Sequence, residues 1–250
     1  MGVRRGTRRK TSLRFRASSP MERVLVLVVI AVIVGITIGV LLPAFNDDVK
    51  TVTGGYTATG DAAQTLETLT VKNDDYRSTG YDRKLFGYRS TDTDGDGCDI
   101  REDILGRDLK EIRFSSSKPC QVQSGVLNDP YTGKTIYFLR GVQTSRDVQI
   151  DHVVALENAW RAGANTWTRT KRYEFGNDPY NLLAVDGDAN SEKGSSSAAY
   201  WLPEQHGYRC AYVSRQIGVK AKYSLSVTTV EKKAMIAVLH SCPGQAVPKQ

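Results

Sequence analysis

Gln149-Ile150-Asp151-His152-Val153-Val154 and Asn181-Leu182-Leu183-Ala184-Val185, with Asn190-Ser191-Glu192-Lys193 just beyond, decide how the rest of this chain is read. Both apolar runs have strand length. Neighbouring side chains on a strand point to opposite faces, yet Asp151 and His152 sit side by side within the apolar frame of Val148, Ile150, Val153 and Val154. A carboxylate buried there without a partner is costly, and a bound cation on Asp151 would offset that cost. His152, one residue along, would then work beside the metal, where a neutral imidazole near pH 7 can take a proton from water. Asn181 and Asn190 offer carboxamide oxygens. One can hold the His152 tautomer through its second ring nitrogen. The other can join Asp151 on a hard, oxygen-loving ion, Mg²⁺ first, with Mn²⁺ and Ca²⁺ as substitutes. Lys193, one helical turn beyond Asn190, would meet a phosphate oxygen. A base, a metal and a cation together suit phosphodiester cleavage.

In these residues the sequence resembles the HNH (His-Me finger) nucleases, whose site is a two-stranded ribbon followed by a helix around one metal. The resemblance implies Asp151 and Asn190 as metal ligands, His152 as the base that activates water, and Asn181 as the residue that orients it. The long gap from His152 to Asn181 departs from compact members. It is similar to the branch related to the C-terminal nuclease domain of GmrSD-type restriction enzymes, as are Ala159-Trp160, Gly163, Asn177-Asp178, Asn181-Leu182, Lys193 and Trp201-Leu202-Pro203. Upstream, Tyr81-Asp82-Arg83, Phe86-Gly87, Gly97-Cys98-Asp99 and Arg107-Asp108-Leu109 look like secreted members of that branch, so the likeness spans roughly 60 to 242. The fold it implies is α+β: a ββα-metal core with added helices, preceded by a transmembrane helix.

Charge is uneven along the chain. Before Val24 stand eight Arg or Lys and one Glu, a local +7, and the remainder balances 26 basic against 26 acidic residues. The pI near 9.2 therefore belongs to the tail and does not itself argue for nucleic-acid binding. A mild basic excess around Arg161, Arg169, Lys171, Arg172 and Lys193 suits contact with a polyanion, although a solvated face is the plainer reading for most of them. Residues 24–42 carry no charge and are long enough to span a bilayer. The preceding basic cluster predicts a cytoplasmic tail over 1–23. A cleaved signal peptide is the rival, but Leu41-Leu42-Pro43-Ala44-Phe45 is a poor small-x-small site. Either way the remainder lies outside the membrane, as a flexible stalk over 46–60 and one domain over 61–242.

Cys98, Cys120, Cys210 and Cys242 all follow the anchor, an even count in an oxidising setting. Of the three pairings, the local one, Cys98–Cys120 with Cys210–Cys242, would staple the segments before and after the site. No Cys-x-x-Cys spacing supports zinc. Asp92, Asp94 and Asp96 followed by Gly, with Asp103 in the last position, match an EF-hand calcium loop except that Asp replaces the final Glu. The plainer reading is an Asp/Gly turn capping a helix over 99–110.

A helix is expected over 61–69 with Asp61 as its cap, and a hairpin over 120–138 around the turn-rich 128–134. A strand over 148–156 leads into a helix over 157–162, and a basic helix over 166–175 follows. Closing helices are expected over 208–217 and 228–240, the latter with Val230, Ala234, Ala237, Val238 and Cys242 on one stripe. Trp160 and Trp167 read as core. His206 and His240 read as ordinary residues, and the serines at 195–197 lack the Gly-x-Ser-x-Gly elbow of a hydrolase. These observations predict a metal-dependent endonuclease of low sequence specificity, DNA ahead of RNA, anchored in the membrane with its catalytic part outside. Nothing points to a small-molecule cofactor or a protein partner. The competing class is a non-catalytic surface module stabilised by calcium; hydrolysis of another phosphoester is a further alternative.

Overall fold

A computed structural model describes residues 19–45, 56–73, 79–88, 92, 94–141 and 144–249. The chain divides into two units, 1–53 and 54–250. Residues 1–18 of the expected tail over 1–23, and 46–55 of the expected stalk over 46–60, lie outside the described residues.

In the first unit, α1 (Pro20–Phe45) is a 26-residue helix. Ser19 and Glu22 cap it reciprocally: the Glu22 amide donates to Ser19 Oγ and the Ser19 amide to Glu22 Oε2. Within its stretch Pro20–Leu41 an 18-residue window has a mean hydropathy of 3.3, and the stretch spans about 33 Å at helical rise. That matches the apolar thickness of a bilayer.

The second unit is mixed helix and sheet. Helix α2 (Asp61–Thr68) begins after Gly60, so Asp61 is its first residue and not its cap; the Asp61 carboxylate accepts instead from the Val247 amide. Helix α3 (Ile100–Asp108) is capped by Asp99, whose side chain accepts from the Arg101 amide. The expected helical end at Lys110 gives way to a strand. β1 (Lys110–Phe114), β2 (Val122–Asn128) and β3 (Thr135–Leu139) form an antiparallel sheet in that order. β2 and β3 are the expected hairpin, and β1 is an edge strand too polar for its sequence to announce.

A separate antiparallel ribbon joins β4 (Val148–His152) to β5 (Leu182–Asp186), pairing Ile150 with Ala184 and Asp151 with Leu183. Its residues are almost all buried, which explains the continuous apolar run of β5. β4 ends at His152, four residues short of expectation, because the chain turns there: the Val153 amide donates to the Asn181 carbonyl. Between the strands lie α4 (Leu156–Arg161) and α5 (Arg169–Gly176), the latter capped by Thr168. After β5, Asp186 caps α6 (Gly187–Lys193). A side chain at Gly187 would strike the Arg146 carbonyl, so only glycine lets α6 start hard against the ribbon.

Helix α3 braces the ribbon edge. Arg107 donates to the Pro179 and Leu182 carbonyls, Asp108 accepts from the Ala184 amide, and Arg101 donates to the Val148 carbonyl. Helices α7 (Arg209–Tyr223) and α8 (Thr229–His240) close the unit. The expected stripe on α8 is displaced: Val230 is exposed, and the buried face is Glu231, Met235 and Leu239. The i, i+4, i+8 spacing hid behind a charged first member. Glu231 is buried because Lys220 meets it at 3.0 Å. The disulfides join Cys98 to Cys120 and Cys210 to Cys242, the local pairing. Trp160 is buried among Phe86, Phe175 and Tyr180, and Trp167 packs against the same cluster.

Candidate active site

The ribbon, α4 and α6 surround a cleft of about 360 Å³ lined by Arg83, Gln149, Asp151, His152, Glu157 and Asn190, among others. β4 supplies Asp151 and His152, and α6 supplies Asn190. Three of the four residues singled out in the sequence thus share one cleft.

His152 is buried, and its Nε2 lies 2.8 Å from the Gly176 carbonyl. A carbonyl only accepts, so Nε2 carries the proton and Nδ1 keeps the lone pair. The Tyr88 ring packs edge-on against the imidazole with centroids 4.8 Å apart. Burial holds the imidazole pKa down at about 3; the Gly176 bond works against this, while the charges of Arg83 and Lys193 add to it. His152 is therefore neutral at ordinary pH.

This geometry corrects the expected role of Asn181. Its side chain does not serve the imidazole. Oδ1 accepts from the Val154 amide at 2.8 Å and Nδ2 donates to the Val154 carbonyl at 3.2 Å, so both ends are spent on one buried peptide segment. Asn181 fastens the turn after β4, and a backbone carbonyl holds the histidine.

Lys193 is also corrected. Its side chain is fully buried under the ribbon, with Nζ 2.9 Å from Asp151 Oδ1 and 3.0 Å from the His152 carbonyl. It is the counter-ion of Asp151, not a group facing a phosphate. Tyr131 completes the cradle, its hydroxyl 2.5 Å from Asp151 Oδ2. Burial raises the Asp151 pKa, opposed by Lys193 and by the Tyr131 hydrogen bond.

Each Asp151 oxygen accepts one such bond and keeps a lone pair for a metal. Asn190 donates Nδ2 to Gln149 Oε1 at 2.8 Å, which leaves its Oδ1 as the end without a partner among the described residues. A carboxylate and a carboxamide oxygen in an open polar cleft fit a hard divalent cation.

The structure does not bring the basic set on α5 into this cleft. Arg169 lies over the Tyr173 ring, Lys171 over Trp167, and Arg172 donates to the Trp167 carbonyl at 2.6 Å. The aspartate loop stands apart as well. Asp92, Asp94 and Asp96 bring carboxylate oxygens within 4.8 Å of one another, and Asp103 is not in that group. Asp92 accepts from the Gly95 and Gly97 amides, bonds that lower its pKa. This turn leads into α3, which Asp99 caps; Asp103 lies in the first turn of that helix and outside the group of three aspartates. His240 Nδ1 donates to the Thr57 carbonyl, and His206 is exposed.

The model of the family described as GmrSD restriction endonucleases, C-terminal domain, matches residues 99–238. The chain belongs to that family. The GmrSD C-terminal region so defined contains β4, β5, α6 and the Cys98–Cys120 partner Cys120, while Arg83 and Tyr88 precede it. An uncharacterized secreted protein of Arthroderma benhamiae is 38% identical over 165 residues, covering 65% of this chain and 76% of that relative. No solved structure matches. The family is one of endonucleases and implies a nucleic-acid substrate. Sequence reasoning missed Tyr131, Gln149 and Gly176 around the site. Tyr131 lay in a stretch that read as a turn, and a backbone carbonyl such as that of Gly176 leaves no signature in residue type.

Proposed function

We propose that residues 61–242 form a metal-dependent HNH-type endonuclease that hydrolyses phosphodiester bonds of nucleic acid, DNA ahead of RNA, outside the cytoplasmic membrane. The observation that carries this is the His152 imidazole: buried, neutral, lining the cleft, with Nε2–H fixed on the Gly176 carbonyl and no hydrogen-bond partner on Nδ1 among the described residues. Such a nitrogen can take a proton from a water placed against phosphorus. Asp151 and Asn190 would hold the divalent ion, Mg²⁺ first, which supplies charge stabilisation to the phosphate oxygens when bound. Lys193 and Tyr131 hold the Asp151 carboxylate by one hydrogen bond to each oxygen, which leaves each oxygen a second lone pair for the ion. The β4–β5 ribbon followed by α6 is the arrangement the ββα-metal reading requires. A cleft that meets backbone charge with one base and oxygen donors has little means of reading bases, so specificity is low.

The membrane reading rests on α1 and the two disulfides, with support from a relative named as secreted. In it, 1–23 is a cytoplasmic tail, 24–42 the retained anchor and 46–60 a stalk.

The test is incubation of the full chain in nonionic detergent with plasmid DNA or RNA and Mg²⁺ or Mn²⁺. Nicking should need the metal, stop with EDTA and disappear in His152→Ala. Nucleic acid left equally intact by wild type and His152→Ala would overturn the proposal.

A further inference from the structure

With Lys193 committed to Asp151, the cation that meets substrate has to come from elsewhere, and the cleft offers Arg83. The Arg83 side chain is exposed and makes no hydrogen bond or ion pair among the described residues. Its guanidinium lies over the Tyr88 ring, 5.4 Å from the centroid. The same ring meets the His152 imidazole edge-on at 4.8 Å, so one tyrosine spaces the cation from the base. Arg83 is also close enough for its charge to act on both Asp151 and His152.

Its position is built, not incidental. Arg83 opens a short 3₁₀ turn, Arg83–Phe86, capped by Asp82 and closed by Gly87 at φ 61°. Phe86 is fully buried. A side chain at Gly87 would fall 2.6 Å from the Tyr173 ring, and one at Gly176 would fall 2.5 Å from the Phe86 carbonyl oxygen. The turn that presents Arg83 therefore rests on the same Gly176 that holds His152.

We propose that Arg83 is a substrate-binding residue, gripping a phosphodiester oxygen of the nucleic-acid backbone, with Tyr88 positioning its guanidinium. This rests on the nuclease reading. A guanidinium matches phosphate with two parallel N–H donors. Asp151 and Lys193 cancel each other, which leaves Arg83 and Glu157 as the other charged side chains lining the cleft. Arg83 is the one with the sign to attract the backbone.

The experiment uses full-length His152→Ala protein in nonionic detergent, which binds without cutting, and a fluorescent DNA duplex titrated across KCl concentrations. Adding Arg83→Met should weaken binding by about tenfold or more. It should also flatten the slope of log Kd against log salt by about 0.9, the signature of one lost phosphate contact. Arg83→Lys should keep the slope. If the His152→Ala protein binds no duplex, the nuclease reading itself is overturned. If it binds and Arg83→Met leaves the slope unchanged, Arg83 is not a phosphate contact and the nuclease reading stands. Equal loss of slope in Arg83→Lys and Arg83→Met would assign the effect to packing and overturn the inference in the same way.

Discussion

Lys193 Nζ lies 2.9 Å from Asp151 Oδ1, with the lysine side chain fully buried and the aspartate 6% exposed. An ion pair taken that far out of water is stable only while both partners remain. Lys193→Met should therefore lower stability by about 3–5 kcal/mol. The loss should shrink when Asp151→Asn is added, since the uncompensated charge is then gone. Urea midpoints followed by the fluorescence of Trp160, Trp167 and Trp201 give the cycle. Additive losses would show that the pair is not coupled.

Asn181→Ala leaves the Val154 amide and carbonyl unpaired in a buried turn. The expected cost is about 2–4 kcal/mol, from two orphaned groups. Because Gly176 fixes the His152 tautomer, the pH profile of the remaining activity should keep its shape. A shifted acid limb would show that Asn181 acts on the imidazole after all.

Gly176→Ala places a methyl group against the Phe86 carbonyl. Overpacking of this kind costs about 1–3 kcal/mol. It should also displace the carbonyl that holds His152 Nε2, so activity should fall further than the stability loss explains. Nicking rates measured well below the unfolding midpoint test this, with Gly218→Ala, where Tyr180 crowds the glycine away from the cleft, as the control.

His152 predicts acid sensitivity. Its folded pKa of about 3 lies below the ordinary imidazole value of 6.5, so between these values the unfolded chain binds the extra proton. Stability is full above pH 6.5 and falls as pH drops, by about 2 kcal/mol between pH 6.5 and pH 5. Asp151 acts in the opposite sense: its pKa is raised, so folding favours its protonated form and stability is regained as pH falls through its folded pKa. Urea midpoints at pH 7 and pH 5 should therefore separate in the wild type and draw together in His152→Phe. Parallel loss in both proteins would place the acid sensitivity elsewhere.

Much of the architecture was legible because it follows from local pattern. The charge-free run ahead of the stalk, the hairpin around Asn128–Lys134 in β2 and β3, the helices that start near Asp99 and Thr228, and the ribbon strands follow from periodicity or turn chemistry. β1 did not, because Lys110-Glu111-Ile112-Arg113-Phe114 is mostly exposed and gains its strand form from pairing with β2. Arg83 fell in a stretch with no regular pattern.

The sequence by itself singled out Asp151, His152, Asn181, Asn190 and Lys193 as one group, and Asp151, His152 and Asn190 do line one cleft. What each of them does was decided only by tertiary structure. A carboxamide or an ammonium has several equally good partners, and composition does not rank them. Burial does: Lys193 had to find a negative charge once α6 folded beneath the ribbon, and Asn181 had to satisfy the peptide groups of Val154, so neither was left to serve the substrate or the base.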